Sequence, residues 1–134
     1  MVFNKDFTYY PEYIEGDWDP IEMDKSVLTF DGFGGTQTTT VLNYDSVWLC
    51  YGCEYGATDY DGTILPNKYI NPTENGRVID GSWYRVEIPE GRENELVVTV
   101  KENNTQVRRN AYIEFSAGDV FSFIDIRQYR VDEE

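Results

Sequence analysis

An all-β fold with strands layered as a sandwich is what this sequence predicts, and three observations carry the prediction. In residues 95–129, Leu96, Val98 and Val100 alternate with Val97, Thr99 and Lys101, and Ala111, Ile113 and Phe115 alternate with Tyr112, Glu114 and Ser116. Period-two alternation marks strands with one buried face. Turn-forming residues bracket these runs: Asn103-Asn104-Thr105 tolerates left-handed backbone and bonds to nearby main chain, and Ala117-Gly118-Asp119 offers a second reversal. Finally, residues 120–131 are apolar and β-branched enough for a third strand. A three-strand meander is expected here, and its apolar face cannot stand in water alone, so the rest of the chain must cover it.

Residues 1–25 read as an extended arm. Phe3, Phe7, Tyr9, Tyr10, Tyr13, Ile14 and Trp18 interleave with Glu12, Glu15, Asp17, Asp19, Glu22 and Asp24, while Pro11 and Pro20 oppose a continuous helix or a central strand. So many rings are out of place in a solvated tail, which makes Phe7, Tyr9, Tyr10, Tyr13 and Trp18 candidates for packing on the chain's own sandwich or docking on a partner. The sandwich then occupies residues 26–134. Its opening strand is expected at 26–30, a glycine-rich turn at Asp31-Gly32-Phe33-Gly34-Gly35, and the returning strand at 36–42. That turn is not a phosphate loop, because it precedes a strand and no lysine follows it.

After a turn at Asn43-Tyr44-Asp45 comes Ser46-Val47-Trp48-Leu49-Cys50-Tyr51. Trp48 and Cys50 are expected on one side and Leu49 and Tyr51 on the other, with Trp48 filling the space between the sheets. Cys50-x-x-Cys53 has redox spacing, but a strand followed by glycine lacks the helix N-terminus that would lower a thiol pKa. Zinc would need further ligands from a chain with no histidine and no other cysteine. Two reduced packing cysteines are the expectation. Further on, Asp59-Tyr60-Asp61-Gly62-Thr63 begins like a calcium loop without the closing bidentate glutamate, so it reads as a solvated turn. Short strands are expected at Ile64-Leu65, Tyr69-Ile70 and Arg77-Val78-Ile79, and a longer one over 83–88, where Trp83 is either a sandwich-edge residue or a sugar platform.

The order of these elements resembles the BACON domain, an immunoglobulin-like module named for carbohydrate-associated proteins of gut Bacteroidetes. The likeness is carried by Leu28-Thr29-Phe30, Gly34-Gly35-Thr36 and the threonine-rich strand to Val41, then Trp48-Leu49 and Trp83. It continues through the valine-rich strand, Asn103-Asn104-Thr105, Arg109 with Ala111 and Ile113, Gly118, and Ile124-x-Ile126-x-Gln128. It implies an immunoglobulin-like β-sandwich, here with an elongated middle insertion over 51–82 that is richer in tyrosine and glycine than the family pattern. The core is expected from Leu28, Phe30, Val41, Trp48, Val86, Leu96, Val98, Val100, Ala111, Ile113, Phe115, Ile124 and Ile126, with Arg109 and Gln128 securing strand ends. Phe121 and Phe123 fall out of phase and mark either the opposite face or a bulge.

Composition narrows the function. In 134 residues, 25 acidic against 11 basic side chains give a net charge of −14, which repels phosphate backbones, so nucleic acid is not an expected partner. Arg108, Arg109, Arg127 and Arg130 form the one basic concentration and are expected to balance carboxylates across strands. No window is apolar enough to span a membrane. With no histidine the commonest general base is missing, and no cofactor motif is visible, so a non-enzymatic protein is expected. The favoured role is an auxiliary, decoration-type protein on a phage capsid or virion surface, with other assembly proteins as partners and glycan adhesion as a further property. This expectation draws on the family resemblance and on an opening that reads as a native cytoplasmic start with no export signal. The alternative is a carbohydrate- or mucin-binding module of an exported bacterial surface protein whose leader has been removed, with Tyr55, Tyr60, Tyr69, Trp83 and Tyr84 as glycan-binding candidates beside Asn67 and Asn71.

Overall fold

A computed structural model describes residues 18–59 and 61–132 of the chain; Phe7, Tyr9, Tyr10, Tyr13 and Tyr60 lie outside them. In chain order the strands are β1 (Val27–Phe30), β2 (Gly35–Thr40), β3 (Trp48–Tyr55), β4 (Lys68–Ile70), β5 (Val78–Asp80), β6 (Tyr84–Glu87), β7 (Glu95–Val100), β8 (Arg109–Ser116) and β9 (Phe121–Gln128). They build a five-stranded sheet in the order β1-β9-β8-β3-β4 and a four-stranded sheet in the order β2-β7-β6-β5. Pairing is antiparallel except between β1 and β9, which run parallel. Just upstream of β1, Met23 bridges Val41 beside β2, so the opening segment serves one sheet and then the other. This division of strands is that of an immunoglobulin-like β-sandwich.

The expected meander is corrected by this topology. β7 lies in the sheet opposite β8 and β9, and the segment around Asn103 carries the chain across the sandwich instead of turning a hairpin. Alternation shows which residues point inward without saying which sheet they belong to. Here the separation is held by a buried side chain. Asn103 is fully buried, its Nδ2 donates to the carbonyls of Val107 at 2.9 Å and Tyr129 at 3.0 Å, and its backbone N–H donates to the Gly32 carbonyl at 2.8 Å.

Beside it, Arg109 and Gln128 secure strand ends. Arg109 Nε donates to Gln128 Oε1 at 2.8 Å, and Gln128 Nε2 donates to the carbonyls of Lys101 at 2.8 Å and Asp31 at 3.1 Å. A buried amide leaves no water to satisfy it, so each of these bonds matters. Gly32 has to be glycine because a Cβ there would sit 2.2 Å from the backbone of Val131. The basic cluster divides: Arg127 and Arg130 pair with Asp125 and Asp132, whereas the guanidinium groups of Arg108 and Arg109 stack over Tyr129 and Trp83.

The core contains all the expected residues but Trp48. Val47 and Leu49 point inward, so Trp48 between them is on the outside and 40% exposed, with the Arg77 guanidinium 5.7 Å over its ring. Leu49, opposite Phe115, takes the inward place. Trp83 and Tyr84 fill the interior from the other sheet. Of the expected middle strands, Ile64 makes an isolated bridge with Thr58 and Leu65 is in no strand.

Part of the segment assigned to the arm also belongs to the sandwich. Ile21 and Met23 pack against the core. Asp24 Oδ1 accepts from Thr39 Oγ1 at 2.7 Å and from the Thr40 N–H at 2.8 Å, and these bonds, the Thr40 amide first, hold its carboxyl below its ordinary value of 3.8. A depressed folded-state pKa adds stability above the unfolded value that is lost as pH falls through the folded one. Asp24→Asn is therefore expected to melt a few degrees below the unsubstituted chain at neutral pH. The gap should close on acidification below about pH 4, followed by circular dichroism melts across a pH series; a gap of constant size would refute the assignment.

Candidate functional site

The side of the five-stranded sheet turned away from the core is aromatic. Because cross-strand partners share a face, the register places Tyr112 beside Asp125, Glu114 beside Phe123 and Ser116 beside Phe121 on the outside of β8 and β9, with the inward Ala111, Ile113 and Phe115 beneath. A bulge at Cys50 then changes the phase of β3. Its register against β8 shifts between Leu49 and Tyr51, so that Leu49 and Gly52 face inward while Tyr51, Cys53 and Tyr55 face outward. Tyr69 on β4 completes the row opposite Cys53.

Tyr112 is the hub of this face. Its ring centroid lies 6.0 Å from Tyr51, 5.6 Å from Tyr55 and 5.6 Å from Phe123, and Tyr69 stands 5.6 Å from Tyr51. Interplanar angles of 51° to 75° make these tilted or edge-to-face contacts, the arrangement that ring quadrupoles favour. Tyr69 is 61% exposed and Phe123 47%, and Phe121 and Val27 extend the apolar surface along β9 and β1. Between them runs an open groove of ≈ 490 Å³ whose walls include Val27, Tyr51, Tyr55, Tyr112, Phe123 and Asp125.

The polar groups of the face are held in place. Tyr55 donates its hydroxyl to Asp125 Oδ1 at 2.7 Å, and the other carboxylate oxygen of Asp125 takes Arg127 at 2.7 Å. Burial, then the adjacent Asp125, pushes the Tyr55 hydroxyl above the ordinary tyrosine range. The Tyr112 hydroxyl is also raised, through hydrogen bonding with Cys53 and then with Tyr69 and Tyr51. Both cysteines are free thiols, and Cys53 is fully buried although it points outward, flanked by Tyr112 and Tyr69. Burial raises the Cys50 thiol, which opposes thiolate chemistry at this spacing.

The structure separates the glycan-binding candidates. Trp83 and Tyr84 are 5% and 1% exposed and belong to the core, so neither can act as a sugar platform in this fold. Tyr55 and Tyr69 lie on the aromatic face, and Tyr60 is outside the described residues. Of the partner-docking candidates, Trp18 is described and exposed. Sequence reasoning missed Tyr51, Tyr112 and Phe123 as one site. The signal available was the phase anomaly at Phe121 and Phe123 together with tyrosine in the polar phase of β8. No group of acidic or cysteine side chains able to hold a metal ion occurs among the described residues. The Asp59 carboxylate instead accepts from the N–H groups of Asp61 and Thr63, each at 2.9 Å.

Fold and face together define an immunoglobulin-like domain with one aromatic sheet surface. No protein-family model and no curated protein sequence matches the chain. Among solved structures, a protein from Bacteroides thetaiotaomicron determined by NMR is similar at 25% identity, covering 91% of this chain and 98% of its own, with a TM-score of 0.66. The M1 domain from titin aligns at 8% identity over 87% of this chain and 100% of its own, with a TM-score of 0.47.

Beneath the face, Gly52 makes room for Tyr84. A Cβ at Gly52 would lie 2.7 Å from the Tyr84 hydroxyl, 3.1 Å from Ile113 and 3.2 Å from Ile79. That hydroxyl is buried without a hydrogen-bond partner, and burial raises its pKa. Gly52→Ala should destabilise by roughly 1–3 kcal/mol through overpacking. Tyr84→Phe should be neutral or stabilising by about 1 kcal/mol, since it removes an unsatisfied group. In the double variant the cost of Gly52→Ala should shrink, as denaturant unfolding of all four proteins would show; strict additivity would disprove the contact.

Proposed function

We propose that this chain is a non-catalytic interaction module that docks on a larger protein assembly through the outer face of its five-stranded sheet. The observation that carries the reading is the continuous run of rings on that face, from β9 through β8 and β3 to β4. Tyrosine and phenylalanine give large contact areas at little entropic cost, and such rings dominate the cores of protein interfaces. A sequence without histidine and an aromatic face without an activated nucleophile support a binding role over catalysis. The setting favoured by the family resemblance is a virion surface, with the module as an auxiliary protein of a capsid. A protein of Bacteroides, within the bacterial group that the resemblance names, has a similar fold.

A glycan platform is the weaker reading. Sugars stack on open ring faces, whereas these rings are tilted by 51° to 75° and pack against one another.

A photo-crosslinking residue placed at Tyr69 or Phe123, in the particles or cells that make the chain, should join it to one defined protein. The same residue at exposed Phe33, in the turn before β2, should not. Tyr69→Ala and Phe123→Ala should each weaken that association ~10-fold or more with little change in melting temperature. Crosslinks only to glycan-bearing material would replace this reading with the carbohydrate-binding one.

A further inference from the structure

Resting on the docking reading above, we infer that the partner places a cationic side chain, arginine or lysine, in the groove formed by Tyr51, Tyr55, Tyr112 and Phe123. The faces of these rings carry negative quadrupole charge. Glu114 is on the same face between two of the groove's walls, with Tyr51 as its neighbour on β3 and Phe123 as its neighbour on β9. It forms no ion pair with another described residue, whereas Asp125 is already matched by Arg127. The face therefore combines aromatic walls with one uncompensated carboxylate.

The rest of the molecule shows how such rings are satisfied when a cation is at hand. Guanidinium groups lie over Trp48 at 5.7 Å, over Trp83 at 4.9 Å and over Tyr129 at 4.8 Å. Among the described residues no guanidinium lies over Tyr51, Tyr69, Tyr112 or Phe123, whereas at the Tyr55 end of the groove Arg127 already lies against the hydroxyl that Asp125 holds. Net charge selects among occupants. At −14, a second copy of the chain would bring Glu114 towards another strongly acidic surface, and an anionic polymer would be repelled. A basic protein segment is complementary on both counts, through the long-range field and through cation–π contact in the groove.

The test uses the full chain and two synthetic peptides, an acetylated Arg-Val-Arg-Val-Arg amide and its analogue with citrulline for every arginine. Citrulline keeps the shape and hydrogen-bonding capacity but removes the charge. At about 0.15 M salt, where distant charges are screened, the arginine peptide should bind saturably and at least about tenfold more tightly than the citrulline peptide. NMR shift changes should centre on Tyr51, Tyr112 and Phe123. Glu114→Gln and Phe123→Leu should each weaken the arginine peptide by about threefold to tenfold and the citrulline peptide by clearly less; both positions are on the surface, and a matching melting temperature verifies folding.

Equal affinity for the two peptides, shifts spread over the acidic surface, or self-association through this face would each overturn the inference. If the crosslinks from Tyr69 and Phe123 still mark one protein in those cases, docking stands and only the cationic partner falls. If the crosslinks fail as well, both fall.

Discussion

The polar knot of buried Asn103 and Gln128 with half-buried Arg109 is the constraint on which the sandwich depends. The chain leaves β7 in one sheet and enters β8 in the other, and this crossing would strand unpaired carbonyls at the end of the sandwich interior. Gln128 takes up those of Asp31 and Lys101, Arg109 takes that of Glu102, and Asn103 takes those of Val107 and Tyr129. The ends of β1, β7, β8 and β9 are thereby tied together from both layers. These bonds make the knot a source of specificity: a one-residue slip of β8 against β9 would leave the buried amide of Gln128 without Arg109.

Once those ends are pinned, the phase of the central strands follows, and with it the surface. β8 and β9 run in uninterrupted register from Arg109 opposite Gln128 to Ser116 opposite Phe121. The knot therefore determines that Tyr112 and Phe123 face out. The extra residue at Cys50 then brings Tyr51 and Tyr55 to the same side as Tyr112, while Gly52 falls inward and admits Tyr84. A single bulge thus serves both the packing of the core and the assembly of the aromatic face.

Much of this fold was legible because alternation is a local property. Leu96, Val98 and Val100, Ala111, Ile113 and Phe115, and Ile124 and Ile126 declared their inward faces, and Arg109 and Gln128 stood out as polar residues at strand ends. Sheet membership was not legible, since β7 and β8 have the same pattern whether they pair or cross. The phase of β3 was hidden because Val47, Trp48 and Leu49 are all apolar, so size suggested Trp48 for the interior where register selects Leu49. The aromatic face was half visible. Phe121 and Phe123 violated the expected phase, but that Phe123 meets Tyr112, and Tyr112 meets Tyr51, depends on pairings made across the fold.

The docking proposed above would use a face, rather than a strand added at an edge, because of how the edges are closed. β2 is covered by the opening segment, where Asp24 takes the Thr40 N–H and Gln37 donates across to the Thr29 carbonyl at 2.8 Å. The other edges, β4 and β5, each offer only three residues, too few for a stable added strand, and Lys68 and Asp80 put charge there. β1 borders the groove itself, its Val27 forming part of the wall. Main-chain recognition is thus blocked on most of the perimeter, while side-chain recognition is open across one broad surface. Affinity would then rest on a few rings and specificity on the charge at Glu114, so the partner's side chains, and not its backbone, would decide what binds.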